Sequence, residues 1–311
     1  MNEPMRIVSL LPSSTEACFA LGLGEHVVGV SHECDFPPEV RGRPILTEPK
    51  IDPAAPSAEI DRQVNALVAG GQSIYRIDER ELAALAPDLV LTQGVCKVCA
   101  VSFEEVRDAA LRAAPGARVM SLSPTTLAEA LDDIERIGKA AGLPDRGSIV
   151  VATLRDRLDR LRAETSGLPR PRVLFLEWLS PPFLGAHWTP EILRIAGGNP
   201  VLARDAKPSV PETWERIAES APEVVIIAPC GFRIDQTRRE MRELAKNPAF
   251  ASLPAVREGR VSLIDGSAFF NRSGPRLVDS AELAAMAIHP DLFRGRFAYG
   301  ADDIVSWSGV D

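Results

Sequence analysis

Residues 143–167 read LPDRGSIVVATLRDRLDRLRAETSG. Val151, Leu154, Leu158 and Leu161 recur at i, i+3, i+7 and i+10, which lays one apolar stripe along a helix. Mostly Arg, Asp and Glu fill the positions between them. Pro144 and Asp145 suit a helix start, and Gly167 with Pro169 suits a stop. A helix of about twenty residues extends roughly 30 Å. Strand–loop–helix patterns precede this stretch, and a fresh set begins directly after it. The pattern predicts a stiff bridging helix, 143–167, between an N-terminal lobe, 1–142, and a C-terminal lobe, 168–290, with 291–311 as a loose tail. The competing reading is a single domain in which this is one more surface helix.

Working outward, the two flanks echo one another. Arg6–Gly24 and Arg172–Gly198 each read as strand, Pro-containing loop, helix and glycine. Pro87-Asp88-Leu89-Val90-Leu91 matches Pro222-Glu223-Val224-Val225-Ile226, and 116–122 matches 259–264. Alternating β and α elements imply mostly parallel sheets with helices on both faces. The expected fold is therefore α/β, two Rossmann-like lobes joined by one long helix, with a ligand cleft between the lobes. In such sheets ligands sit beyond the carboxyl ends of the strands. Strands are predicted at 6–11, 27–30, 89–92, 118–122, 172–176, 224–228 and 260–264. Helices are predicted at 17–23, 58–69, 78–85, 103–113, 127–141, 190–196, 212–220 and 276–288. Six prolines between 37 and 56 mark irregular surface.

A length of 311 residues suits two lobes, and 45% hydrophobic with 25% charged residues is ordinary for a globular protein. The net charge of -8 argues against a nucleic-acid partner. No apolar run nears the roughly 20 residues that cross a bilayer. The opening MNEPMR lacks the layout of a secretory signal, so a cytoplasmic location is expected, or a periplasmic one if a signal has been removed. Five cysteines, an odd number, fit a reducing compartment better than a disulfide framework. A monomer is expected.

The loops after the strands carry the chemistry. Ser13, Ser14 and Thr15 follow the first strand, where hydroxyls would cap a helix and leave backbone N–H groups facing a ligand. His32, Glu33 and Cys34 follow the second. Cys96 and Cys99 form a C-x-x-C after the strand 89–92, and Cys230 occupies nearly the equivalent place in the second lobe. Glu177, Trp178, Phe183, His187 and Trp188 follow strand 172–176; Phe232 lies beside Cys230; Phe270, Asn271, Arg272 and Arg276 follow the last strand. Aromatic side chains in loops, here Trp178, Trp188, Trp214 and Tyr75, grip a flat apolar ligand well. Cys34, Cys96, Cys99 and Cys230 offer soft donors for a metal, although structural zinc usually takes paired C-x-x-C sets. Packing of loop roots is the plainer reading of these thiols, and a redox dithiol a further one. Ser with His32 and Asp35 could form a hydrolytic site, yet no G-x-S-x-G elbow is present. Nucleotide-binding glycine spacings are absent.

The segments RIVSLLPSSTE, VVGVSHECDFPP, LAPDLVLTQ, EWLSPPF and FNRSGPR together resemble the class III, iron-siderophore/cobalamin type of ABC-importer substrate-binding protein, and most closely its cobalamin-binding branch. The resemblance covers about residues 5–289. It implies two α/β lobes bridged by a long helix, a corrinoid held largely by aromatic side chains, a permease partner and no catalysis. By loop position it implies ligand contacts at Tyr75 and at Trp188 or Trp214, with Phe270, Arg272 and Arg276 as a wall. It also implies one glutamate per lobe docking permease arginines. Glu215 matches in the second lobe; in the first the equivalent position is Arg80, flanked by Glu79 and Glu81, and Glu79 is the candidate. The other readings are an enzyme using Cys and His on a metal or corrinoid, or a siderophore or haem binder.

Overall fold

The computed structural model describes residues 5–94 and 103–309. The chain divides into two compact units: residues 1–53, 62–124 and 128–153 in the first, 54–61, 125–127 and 154–311 in the second.

The first unit begins with β1 (Ile7–Ser9), α1 (Pro12–Ala20) and β2 (Val27–Val30), all read from apolar runs bounded by proline and glycine. Then come β3 (Thr47–Pro49), α2 (Ser57–Ala69), β4 (Tyr75–Ile77), α3 (Glu79–Leu85) and β5 (Leu89–Thr92). The run closes with α4 (Phe103–Ala113), β6 (Arg118–Ser121) and α5 (Leu127–Ala140). Four strands make a wholly parallel sheet in the order β2-β1-β5-β6. Its central strands are buried on both faces, which is why they read as continuous apolar runs rather than alternating ones. Val8, Leu10, Leu46, Leu82, Val90, Val106 and Ala109 form the core. Asp78 starts α3 by accepting from the backbone N–H groups of Arg80 and Glu81 at 2.9 and 3.0 Å.

The predicted bridging helix is α6 (Pro144–Thr165), and its stripe Val151, Leu154, Leu158 and Leu161 is buried. Residues through Thr153 belong to the first unit and those from Leu154 to the second. Within the first unit α5 and α6 meet backbone to backbone. A Cβ on Gly138 would lie 3.2 Å from the Gly147 Cα, and one on Gly147 would lie 3.1 Å from the Glu135 Cα.

The second unit starts with β7 (Arg172–Leu179), β8 (Pro182–Leu184), β9 (Ala186–His187), α7 (Thr189–Ile195), β10 (Asn199–Pro200) and β11 (Arg204–Asp205). It continues with α8 (Trp214–Glu219), β12 (Val224–Ile227), α9 (Ile234–Leu244), α10 (Pro248–Ala251), α11 (Pro254–Arg257) and β13 (Val261–Ile264). It ends with α12 (Leu277–Ile288), α13 (Pro290–Phe293) and β14 (Ile304–Trp307). The sheet order is β10-β7-β12-β13-β14, with β8 folded back on β7. Strands β10, β7, β12 and β13 are parallel and stand in the same order as β2, β1, β5 and β6.

Four expectations need correction. The first helix starts at Pro12, not Ala17, because proline fits the first helical position. The Pro-rich stretch holds a strand: Thr47 and Tyr75 lie on a two-stranded antiparallel ribbon, β3–β4. Strand β7 runs on through Glu177 and Trp178, which are therefore strand residues rather than loop residues. The expected loose tail at 291–311 instead supplies β14, which pairs antiparallel with β13 and buries Trp307 against Phe250.

Candidate functional site

In the first unit the carboxyl ends of β1 and β2 carry a knot of hydroxyls. Ser9 and Ser14 Oγ atoms are 2.6 Å apart, and Thr15 Oγ1 donates to Ser9 Oγ at 2.8 Å. Ser14 also donates to the Leu11 carbonyl at 3.0 Å. Ser13, Ser14 and Thr15 are buried in the first turn of α1, so Ser14 and Thr15 hold the strand-to-helix turn instead of capping it towards a ligand. Cys34 is half-buried, with its Sγ 3.1 Å from Thr15 Oγ1 and 3.3 Å from Ser31 Oγ. Cys18, in α1, is fully buried, which pushes its thiol up to about 12.

His32 is fixed from one side. Its backbone N–H donates to Thr47 Oγ1 at 3.1 Å, and its Nδ1 lies 2.7 Å from the same oxygen. Its ring is 5.3 Å from that of Tyr75. Thr47 and Tyr75 come from the two strands of the β3–β4 ribbon, so that ribbon is what aims the imidazole. The Nε2 atom is buried and completes no hydrogen bond; Glu33 Oε1 lies 3.4 Å away. Neither ring nitrogen of His32 bonds a serine: Nδ1 partners Thr47 and Nε2 completes no hydrogen bond, so the hydrolytic reading finds no dyad here. Thr47 was missed in the sequence because prolines on both sides of it disguise the strand.

In the second unit the carboxyl ends of β7, β12 and β13 converge. Trp178 packs on Phe232 at 5.1 Å and stands opposite Phe183 in the β7–β8 register. The Cys230 N–H donates to the Glu177 carbonyl at 3.0 Å, and the exposed Cys230 side chain sits at the loop tip. Trp188 Nε1 donates to the Phe270 carbonyl at 2.7 Å, while Ser280 Oγ accepts from the Phe270 N–H at 2.9 Å. Both backbone groups of Phe270 are thus tied, which holds it at a φ of +62°. Its ring is buried against Phe175 at 4.5 Å. Asn271 Nδ2 donates to the carbonyls of Gly266 and Ala228 at 2.9 and 3.1 Å, stitching the β12 and β13 loops together. At Gly266 a Cβ would lie 2.0 Å from the Pro229 oxygen, so only glycine fits. Asp265 Oδ1 accepts from the N–H groups of Ser267 and Ala268 at 2.8 and 3.0 Å, and burial raises its carboxyl above the usual range. Arg272 is buried and reaches Ser267 Oγ at 3.4 Å; Arg276 lies over the Phe269 ring at 5.5 Å.

Several sequence candidates turn out to be packing residues. Phe232 and Phe270 are core side chains, and Trp214 rests edge-on against Phe250 at 5.8 Å. His187 is half-buried beside Trp188, with a ring distance of 5.5 Å, and burial lowers its pKa. Cys96 and Cys99 lie outside the described residues. Cys34 and Cys230 belong to different units, and among the described residues no group of three or more His, Cys, Asp and Glu could hold a metal. Glu79 is clasped by Arg112 through two hydrogen bonds, 2.6 and 3.1 Å, which hold its carboxyl below the usual range; Glu215 is exposed in the first turn of α8. Among the described residues no helix is long and apolar enough to cross a membrane.

The chain is similar to known proteins over nearly its whole length. It is 27% identical over 301 residues to an uncharacterised ABC transporter substrate-binding lipoprotein, YvrC, of Bacillus subtilis, covering 94% of this chain and 82% of that one. It is 25% identical over 282 residues to the vitamin B12-binding protein of Photorhabdus laumondii, covering 90% and 86%. A periplasmic heme-binding protein from Pseudomonas aeruginosa shares the fold, with a TM-score of 0.69 at 22% identity over 93% of this chain and 94% of that one. The sequence model of the periplasmic binding protein family matches residues 7–268. With two α/β units that repeat one strand order, the chain belongs to the periplasmic binding protein family, in its class III, ABC-importer substrate-binding fold.

Proposed function

We propose that this chain binds a corrinoid as the substrate-binding component of an ABC importer. The observation that carries the reading is the His32–Tyr75 pair, where the loop after β2 meets the β3–β4 ribbon: an imidazole and a phenol ring set side by side, with one ring nitrogen that completes no hydrogen bond. Such a pair suits a flat, metal-centred macrocycle, which needs broad apolar contact and few directed polar ones. The relative named for vitamin B12, aligned over 90% of this chain, supports the same ligand class. Tyr75, His32 and Glu33 are the proposed ligand contacts. No catalytic step is assigned to them. Glu215 is the proposed permease contact, since Glu79 is already engaged by Arg112.

Titration of the purified protein with hydroxocobalamin tests this. The expected result is saturable heat by calorimetry with a shift of the visible corrin bands. Heat with hemin and none with hydroxocobalamin or dicyanocobinamide would overturn it in favour of haem. For the partner, Glu215→Arg is expected to abolish transport in cells while leaving corrinoid affinity unchanged. Cell fractionation separates the cytoplasmic placement expected from the sequence from the membrane-attached one that the name of the lipoprotein relative carries.

A further inference from the structure

Resting on the corrinoid reading, we propose that His32 is the protein's own axial ligand, giving its Nε2 lone pair to the metal at the centre of the macrocycle. Four observations within the first unit lead there. First, Nε2 is a buried nitrogen that completes no hydrogen bond, a state that costs free energy unless a partner arrives. Second, the other ring nitrogen is already oriented: Nδ1 lies 2.7 Å from Thr47 Oγ1, the outer-shell contact that metal-bound imidazoles use to fix tautomer and ring plane. With the proton on Nδ1, Thr47 Oγ1 accepts from both the Nδ1–H and the His32 backbone N–H, and Nε2 keeps its lone pair. Third, the Tyr75 ring packs against the imidazole, with 5.3 Å between centroids and a 48° tilt. Fourth, Glu33 Oε1, 3.4 Å from Nε2, places a negative charge beside the position a cationic metal would take.

Access requires one movement. The proposed bond requires the Glu33 carboxylate, 3.4 Å from Nε2 and on a side chain 38% exposed against 19% for His32, to turn aside. The bond that forms is Nε2 to cobalt. The bond that breaks is cobalt to its weaker axial water, which leaves to solvent. No proton or electron is transferred, and the carboxylate of Glu33 remains near the metal as a counter-charge.

The test uses dicyanocobinamide, which lacks the nucleotide arm and therefore has no nitrogen base of its own below the ring. It is reduced to the paramagnetic cobalt(II) state and bound to the full chain, with binding followed by the visible bands. Coordination by His32 is expected to split the high-field electron-resonance lines into triplets, from one nitrogen of nuclear spin one. Protein made with histidine carrying the spin-one-half isotope of nitrogen is expected to give doublets instead, with no mutation needed. His32→Gln, loaded at cobinamide concentrations raised to offset its weaker binding, is expected to lose the splitting, and Glu33→Gln to keep it. Thr47→Val is expected to weaken cobinamide binding by about 10-fold, the loss typical of a removed outer-shell contact. Bound cobinamide whose lines show no nitrogen splitting, or a splitting that survives His32→Gln, overturns the axial role while leaving corrinoid binding intact. Absence of any binding by either cobinamide or hydroxocobalamin overturns both.

Discussion

Single residues decide how the strand ends are shaped. Gly266 is one: a side chain there meets the Pro229 carbonyl at 2.0 Å, and that carbonyl is backbone. Gly266→Ala is expected to cost about 3 kcal/mol or more, or to prevent folding, as read from urea denaturation. Thr47→Val leaves the His32 backbone N–H and Nδ1 without their partner at nearly constant volume. The expected loss of stability is about 1–3 kcal/mol, measured the same way. Asp133, on the buried face of α5, is a case where charge works against folding. Burial pushes its carboxyl up from 3.8 to about 6, although Arg136 pairs with it, and its Oδ2 has no partner. The folded state therefore binds this proton more tightly than the unfolded state. Its contribution to stability is present below the unfolded value and is lost as pH rises through about 6. Unfolding free energies at about pH 5 and about pH 7 are expected to differ by about 1 kcal/mol from this group, and Asp133→Asn to flatten the slope.

Whole elements show what periodicity reveals and what it hides. The stretch 27–30, the stretch 89–92 and the helix 103–113 are found where their apolar patterns predict them. The stripe of α6 is buried as its spacing implies. Helix α9 has the same signature, with Ile234, Thr237, Met241 and Leu244 buried at i, i+3, i+7 and i+10. Its mean composition is so polar that it is absent from the sequence prediction. The β3–β4 ribbon is hidden for another reason. Each strand is three residues long, one ends in proline, and the partners are far apart in the chain. Proline is tolerated there because the ribbon is only two strands wide. That ribbon aims His32, so the most specific part of the candidate site was the least legible. The last element, β14, reads as tail because its pairing partner β13 lies far back in sequence and its strand is short. Trp307, packed at 5.8 Å from Phe250, is its anchor. Trp307→Ala is expected to cost about 3–5 kcal/mol in thermal or urea unfolding.

At the scale of the molecule the clearest regularity is the shared strand order of the two sheets, second-first-third-fourth in each. The matching Pro-acid-apolar runs at 87 and 222 announce it in the sequence. What the sequence could not announce is which loop residues are spent internally. Phe232 and Phe270 look like ligand aromatics by position, yet both are buried, packed on Trp178 and Phe175. A ligand that binds only the folded chain raises its stability by mass action. Hydroxocobalamin at 100 times its dissociation constant is expected to add about 2.7 kcal/mol, visible as a higher melting temperature.

The C-terminal segment also reaches back into the fold. Tyr299 Oη donates to Glu282 Oε2 at 2.6 Å, and Glu282 and Asp279 together hold Arg157 of α6 at 2.9 and 2.6 Å. The family match stops at 268, before any of these groups on α12 and beyond. A gene trimmed to that boundary for expression would leave the guanidinium of Arg157 stranded and one flank of β13 bare. Its product is expected to aggregate, and the usable limit for shortening this gene is set past codon 307, not at the end of the family match.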